Sequence, residues 1–303
     1  MGDSGGERSE TNGIVVRQAR DEDMDAVFAF SSTTFDGEDY IPYVWDDWLR
    51  ADPARGALLV ATWDERPVGV IHWRLLGEDE AWIEGVRVDP EQRRRGVGRT
   101  MVSRALAGAD ASGARVARFL TSEENIASQN LFGRFGFVRV AEVARYEAMS
   151  SAGDAADARA TLLGLEDFDR VWSWLEVSNL RPFTGGLEFE YWAAHALSEP
   201  SLRRYLAGGD VWALEEWESL QALAIVTVHD GGEDDAASME SRYTDGTADA
   251  LGRLGLALRG IAAERGCAKV ELWLPNLLIL RDAMQGAGYA RDDETMWVYA
   301  REL

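Results

Sequence analysis

The chain has 303 residues, 46% of them hydrophobic, which is enough for two cores of ordinary size and excludes global disorder. A formal net charge of -22 and a pI near 4.5 repel nucleic acid and exclude it as a partner. Cys267 is the only cysteine, so an intrachain disulfide and a cysteine-rich metal site are excluded, and His72, His195 and His229 show no ligand spacing.

Residues 1–13 are polar and lack the apolar stretch of a signal peptide, so they are expected to form a flexible tail. No apolar run approaches the roughly 20 residues that cross a bilayer, and a cytoplasmic protein is the expectation. A strand is predicted at Ile14–Arg17, helices at Asp23–Ser32 and Tyr43–Leu49, and a hairpin at Leu58–Leu75 around Asp64-Glu-Arg-Pro67. A strand Ala81–Val88, a helix Gly98–Ser112, a strand Val116–Leu120, a helix Ile126–Phe135 and a strand Val138–Glu147 follow. This order predicts an α/β fold, a mixed sheet flanked by helices.

Ser150–Ala160 is small, polar and alanine-rich, and reads as a linker between a domain at 14–149 and another at 161–303. The halves resemble each other. Asp23–Phe30 lines up with Asp167–Trp174, and the paired runs Val211–Trp217 and Leu220–Val228 repeat the hairpin around Glu218-Ser219. Asn125…Gly136-Phe137 parallels Asn276…Gly288-Tyr289, so duplication of one domain is the economical explanation. Trp172, Trp174, Trp192, Trp212, Trp217, Trp273 and Trp297 read as core or interface residues.

The chemistry-bearing segment is Ala81–Thr100. A strand ends near Val88, Asp89-Pro90 turns the chain, and the run Arg93-Arg-Arg-Gly-Val-Gly98 opens a helix. Gly96 and Gly98 let backbone approach a ligand, and the amides of the first helical turn favour an anion. Residues 87–99 hold five arginines against Asp89 and Glu91, a local charge of +3 within a strongly anionic chain. A phosphate-bearing ligand is the reading. A Walker ending and the third glycine of a dinucleotide fingerprint are absent, since Met101 stands where that glycine belongs.

Arg93–Gly98 matches the Arg/Gln-x-x-Gly-x-Gly/Ala signature of the GCN5-related N-acetyltransferase (GNAT) superfamily, and Asn125–Phe137 resembles its second motif. The resemblance spans about residues 14–148. Phe35–Pro42, Trp48-Leu49 and Glu84–Val88 look like the histidine N-acetyltransferase-like subgroup. It implies tandem GNAT-like domains, acetyl-CoA as cofactor and a small amine as substrate, in a monomer or homodimer free of membrane.

By that resemblance acetyl-CoA would lie between strands Ala81–Val88 and Val116–Leu120. The backbones of Val86, Arg87 and Val88 would meet the pantetheine and acetyl carbonyl, and Arg93, Arg94, Arg95, Gly96, Val97, Gly98, Arg99 and Thr100 the pyrophosphate. Asn125 and Ser128 would flank the pantetheine arm, and Phe132 would pack beside the thioester. Glu84 would be the general base that deprotonates the amine. Relatives carry a tyrosine acid where Phe132 stands, which leaves Tyr146 or water for that role. Asp36, Asp39 and Tyr40 would line the substrate loop, and a solvated acidic loop is the alternative.

In the second half Asp245, Ala248 and Ala250 face Arg93 and the two glycines, which predicts a degenerate domain without CoA. Two other functions stay open: a CoA-sensing module without turnover, and an acetyltransferase for protein N-termini. Of 31 basic residues only Lys269 is lysine, a composition that resembles proteins of salt-loving archaea. The acidity would also draw in a cationic substrate.

Overall fold

A computed structural model describes residues 13–32, 39–77, 79–153, 160–231 and 236–303. The chain divides into two compact units. One comprises residues through Phe119 with Ile126–Val138 and Ala300–Leu303, and the other Leu120–Asn125 with Arg139–Tyr299. Arg139–Met149, which precedes the Ser150–Ala160 segment, therefore packs within the second unit.

The first unit runs β1 (Ile14–Gln18), α1 (Met24–Ser31), α2 (Ile41–Leu49), β2 (Gly56–Trp63), β3 (Arg66–Leu76), β4 (Glu80–Val88), α3 (Val97–Ala111), β5 (Val116–Ser122, as far as Phe119) and α4 (Ile126–Gly133). Its strands lie in the order β1–β2–β3–β4–β5 and pair antiparallel except β4 with β5. The β2–β3 turn is the two residues Asp64 and Glu65, both at positive φ, the hand that matches strand twist in a tight hairpin. Alternation puts Val70 toward one face, where Val27, Ile41 and Trp45 from α1 and α2 join Leu58 and Val60. Gly69 faces the other way, under Val97 and Met101 of α3. Helices thus cover both faces, and each fully buried side chain such as Ile41 or Trp45 contributes about 1.5–3 kcal/mol.

The second unit contains β6 (Val138–Met149, from Arg139 on), β7 (Thr161–Leu162), α5 (Phe168–Glu176), α6 (Arg181–Thr184), β8 (Leu187–Glu190), β9 (Ala193–Ala196) and α7 (Glu199–Gly208). It continues with β10 (Val211–Glu216), β11 (Ser219–His229), β12 (Ser238–Gly246), α8 (Ala248–Glu264), β13 (Lys269–Pro275), α9 (Leu278–Gly286), β14 (Ala290–Arg291) and β15 (Met296–Glu302). The strand order is β7–β10–β11–β12–β13–β6–β15, with β14 also on β6 and β8–β9 a separate hairpin. Within this unit β12 pairs with β13 in parallel.

The two units repeat one plan: hairpin, strand, helix, parallel strand, helix. Trp217 and Glu218 repeat the turn of Asp64 and Glu65, again both at positive φ. The turn lies one residue earlier than the predicted Glu218-Ser219, and it carries Trp217 to the hairpin tip. Trp217 is 92% exposed there, so of the expected core or interface placement the core half does not hold for it. Gly136 and Gly288 close α4 and α9 at φ 83° and 81°, each followed by a buried aromatic, Phe137 and Tyr289. Among the described residues no helix is long and apolar enough to cross a membrane.

Candidate active site

The register along β3 and β4 determines the site. Val70 pairs with Arg87, but His72 pairs with Glu84, so β4 carries one extra residue at a bulge where Gly85 adopts φ 66°. A Cβ on Gly85 would come within 2.7 Å of the Trp48 ring, so only glycine permits this approach. Trp48 in turn stacks on His72, with ring centroids 4.3 Å apart and planes 9° from parallel. The bulge thus places Glu84, His72 and Trp48 together.

Glu84 is 17% exposed along its side chain. Its Oε1 lies 3.0 Å from His72 Nδ1 and accepts a bond of 3.1 Å from Arg74 Nε. Burial pushes the Glu84 carboxyl up, but the His72 bond and the Arg74 charge outweigh it and leave the group below its usual range. Burial also lowers His72, which is therefore a neutral imidazole at pH 7. The two donors that set this direction sit on β3, a strand the Glu84 motif does not include.

Asp39 and Tyr40 stand beside this group. Asp39 is buried, receives the Ile41 amide at 2.9 Å and pairs with Arg87 Nε at 2.6 Å. That carboxylate is committed to Arg87. Tyr40 meets Trp48 edge-on at 5.9 Å with Arg87 over its ring, and burial of the phenol raises it to about 12. Asp36 lies outside the described residues.

β4 pairs with β5 only from Glu80 to Trp82, against Val116 to Arg118, yet it continues to Val88. The stretch with Val86, Arg87 and Val88 runs on beyond that pairing and leads into the loop. Arg94 and Gly96 take φ 63° and 95°, and Gly96 is the N-cap of α3 with no side-chain cap. A Cβ at Gly96 would meet nothing within 4 Å, so the approach to the helix start is open. Arg93, Arg94, Arg95 and Arg99 are exposed, and among the described residues none of them has a carboxylate within 4.0 Å. Arg95 lies over Trp63 at 5.5 Å. Val97 and Thr100 are buried, with the Thr100 hydroxyl returned to the Gly96 carbonyl at 3.2 Å, so both offer a ligand backbone only. An open, positive, uncapped helix start fits a pyrophosphate.

Asn125 is exposed, and Ser128 is half-buried on α4. Phe132 is 1% exposed in a cluster with Phe119 and Phe137, at centroid distances of 3.8 and 5.2 Å. Tyr146 belongs to the second unit, where it is 1% exposed in the core with Ala144, Leu272 and Leu274. Among the described residues no three His, Cys, Asp or Glu side chains are grouped to hold a metal.

The corresponding segment of the second unit differs. β12 ends at Gly246, and Thr247 caps α8 directly by accepting the Ala250 amide at 3.3 Å, with no intervening loop. Asp245 is buried and accepts bonds from Ser178 and Tyr243. His72 and Trp48 were illegible because the register that selects them is a property of paired strands.

The Acetyltransferase (GNAT) family model matches residues 22–137. The solved GCN5-related N-acetyltransferase of Sphaerobacter thermophilus is similar over 96% of each chain at TM-score 0.62 and 13% identity. That of Anabaena variabilis is similar over 95% of this chain and 72% of its own, at TM-score 0.51 and 13% identity. The glucosamine N-acetyltransferase region of a fungal multi-domain GH3 β-N-acetylglucosaminidase matches 98% of this chain at TM-score 0.62 and 14% identity, and this chain covers 39% of that one. No curated protein matches the chain. At such identities the solved structures show a common fold, and in sequence residues 22–137 are similar to the Acetyltransferase (GNAT) family.

Proposed function

We propose that the first unit transfers an acetyl group from acetyl-CoA to a small amine, with amino acids such as histidine among the acceptors. The uncapped start of α3, opened by Gly96 and ringed by arginines that have no carboxylate within 4.0 Å among the described residues, carries this reading on an anionic chain. When bound, acetyl-CoA supplies an activated acyl thioester. The amides from Arg94 to Arg99, with the guanidinium groups around them, hold its pyrophosphate, and the backbones of Val86 and Val88 face the rest of it. Asn125 and Ser128 flank that arm.

Glu84 accepts a proton from the incoming ammonium, because only the neutral amine has a lone pair to attack with. Tyr40 and Trp48 form the aromatic wall on which that cation rests before it is deprotonated. Asp39 serves by fixing Arg87 and the start of α2. Phe132 has no hydroxyl, and Tyr146 is given no part, so water rather than a side chain would protonate the departing thiolate. The second unit is read as a degenerate domain without CoA, since Thr247 occupies the helix start that Gly96 leaves open.

Calorimetry with acetyl-CoA and CoA, on the wild type and on Arg93→Glu/Arg94→Glu, tests the cofactor site. Affinity is expected to fall at least tenfold in the double variant; an unchanged affinity removes the loop from the account. Thiol release over an amine panel that includes histidine then separates turnover from sensing. The buried Phe132 favours the sensing alternative, and binding without release on any amine would establish it.

A further inference from the structure

Both donors that reach Glu84 end on the same oxygen. His72 Nδ1 and Arg74 Nε lie 3.0 and 3.1 Å from Oε1, and among the described residues Oε2 has no hydrogen bond. An ionised carboxylate only accepts, so the proton of that contact sits on His72 Nδ1. The other ring nitrogen, Nε2, is then a lone-pair acceptor, buried and without a partner. A buried polar atom left in this state costs stability and is retained where something else needs the ring. The ring is also held face-on by Trp48, which itself occupies the space above Gly85.

We propose that His72 is a positioning residue for Glu84: its Nδ1–H fixes Oε1, together with Arg74, so that Oε2 alone faces the acceptor amine. The inference rests on Glu84 being the base. The proton passes from the ammonium nitrogen to Oε2, the N–H bond breaks as the O–H bond forms, and His72 keeps its own proton throughout. Other titratable and charged groups around Glu84 are Arg74 on β3 and, ahead of α2, the neutral phenol of Tyr40 with the Asp39–Arg87 pair beyond it.

Two substitutions separate the donor from the ring. His72→Phe keeps a ring for Trp48 to stack on but cannot donate, whereas His72→Asn places an amide N–H near Nδ1 and loses the stack. Glu84 is titrated by its carboxyl 13C resonance, assigned by its loss in Glu84→Gln, so the reading needs no substrate. In His72→Phe the midpoint is expected to rise by about half to one pH unit, since a hydrogen bond to the charged form is gone. In His72→Asn it is expected to stay at the wild-type value, with kcat within about threefold of wild type against roughly a tenfold loss in His72→Phe. Should His72→Phe fail to fold, the midpoint of His72→Asn decides alone: unmoved supports the proposal, raised overturns it. A wild-type midpoint in His72→Phe, or a raised one in His72→Asn, also overturns it. Wild-type kcat in Glu84→Gln would instead sink the base assignment, a separate failure.

Discussion

Asp39 and Arg87 are a buried ion pair, 1% and 10% exposed along their side chains, and such a pair is most costly when half of it is removed. Arg87→Met is expected to destabilise the protein by about 3–5 kcal/mol in urea unfolding, because it strands the Asp39 carboxylate. Adding Asp39→Asn should return a large part of that loss. A double variant no more stable than the single one would show that the pair acts only as packing. His72 gives a second effect at this scale. Its folded pKa lies below its unfolded value of about 6.5, so on acidification the unfolded chain takes up a proton that the native ring refuses. Stability is therefore expected to fall as pH drops below about 6.5, and the slope should be shallower in His72→Phe when unfolding is compared at pH 7.5 and 5.5. Glu84 was legible from its place in a strand motif. Its partners were not, since His72 is 12 residues away in sequence and meets it only across a paired strand.

At the scale of elements, the α3 loop and the β4 bulge each depend on one glycine. Gly96 stands at φ 95° with open space around it, so Gly96→Ala pays only for conformation, about 1–2 kcal/mol. It should weaken CoA binding in calorimetry while leaving near-UV dichroism unchanged. Gly85→Ala adds a Cβ 2.7 Å from Trp48, so it should cost more and alter the tryptophan dichroism as the indole leaves His72. An unaltered spectrum would mean that the bulge does not hold Trp48 in place. The predicted α3, its glycine start and both hairpins could be read because turn chemistry and helical period are local. The β8–β9 hairpin and the short α6 lacked any such period, and the β10–β11 turn was misplaced by one residue because neither Trp217 nor Glu218 is a usual left-handed residue.

Over the whole molecule, 53 acidic residues against 31 basic ones impose self-repulsion that salt should relieve. The screening length falls from about 10 Å at 0.1 M to about 3 Å at 1 M, so the melting temperature should rise across that range in sodium chloride. A falling melting temperature would mean that ion pairs such as Arg74–Glu84 and Arg145–Asp292 outweigh the net charge. The duplicated plan was visible in the chain as two helix starts and two Asn…Gly-aromatic endings. The division into units was not, because β6 precedes the linker-like segment yet packs with β13, at a register only the folded chain defines.

The sequence by itself determined the segment similar to the acetyltransferase family, the arginine- and glycine-rich start of α3 and the acidic composition, since each is written in neighbouring residues. Tertiary structure alone decided which oxygen of Glu84 stays free, that Asp39 is committed to Arg87, and that Tyr146 lies in the second unit's core. Those outcomes turn on strand register and bulges, which bring together residues far apart in the chain and are selected by packing on both faces of a sheet.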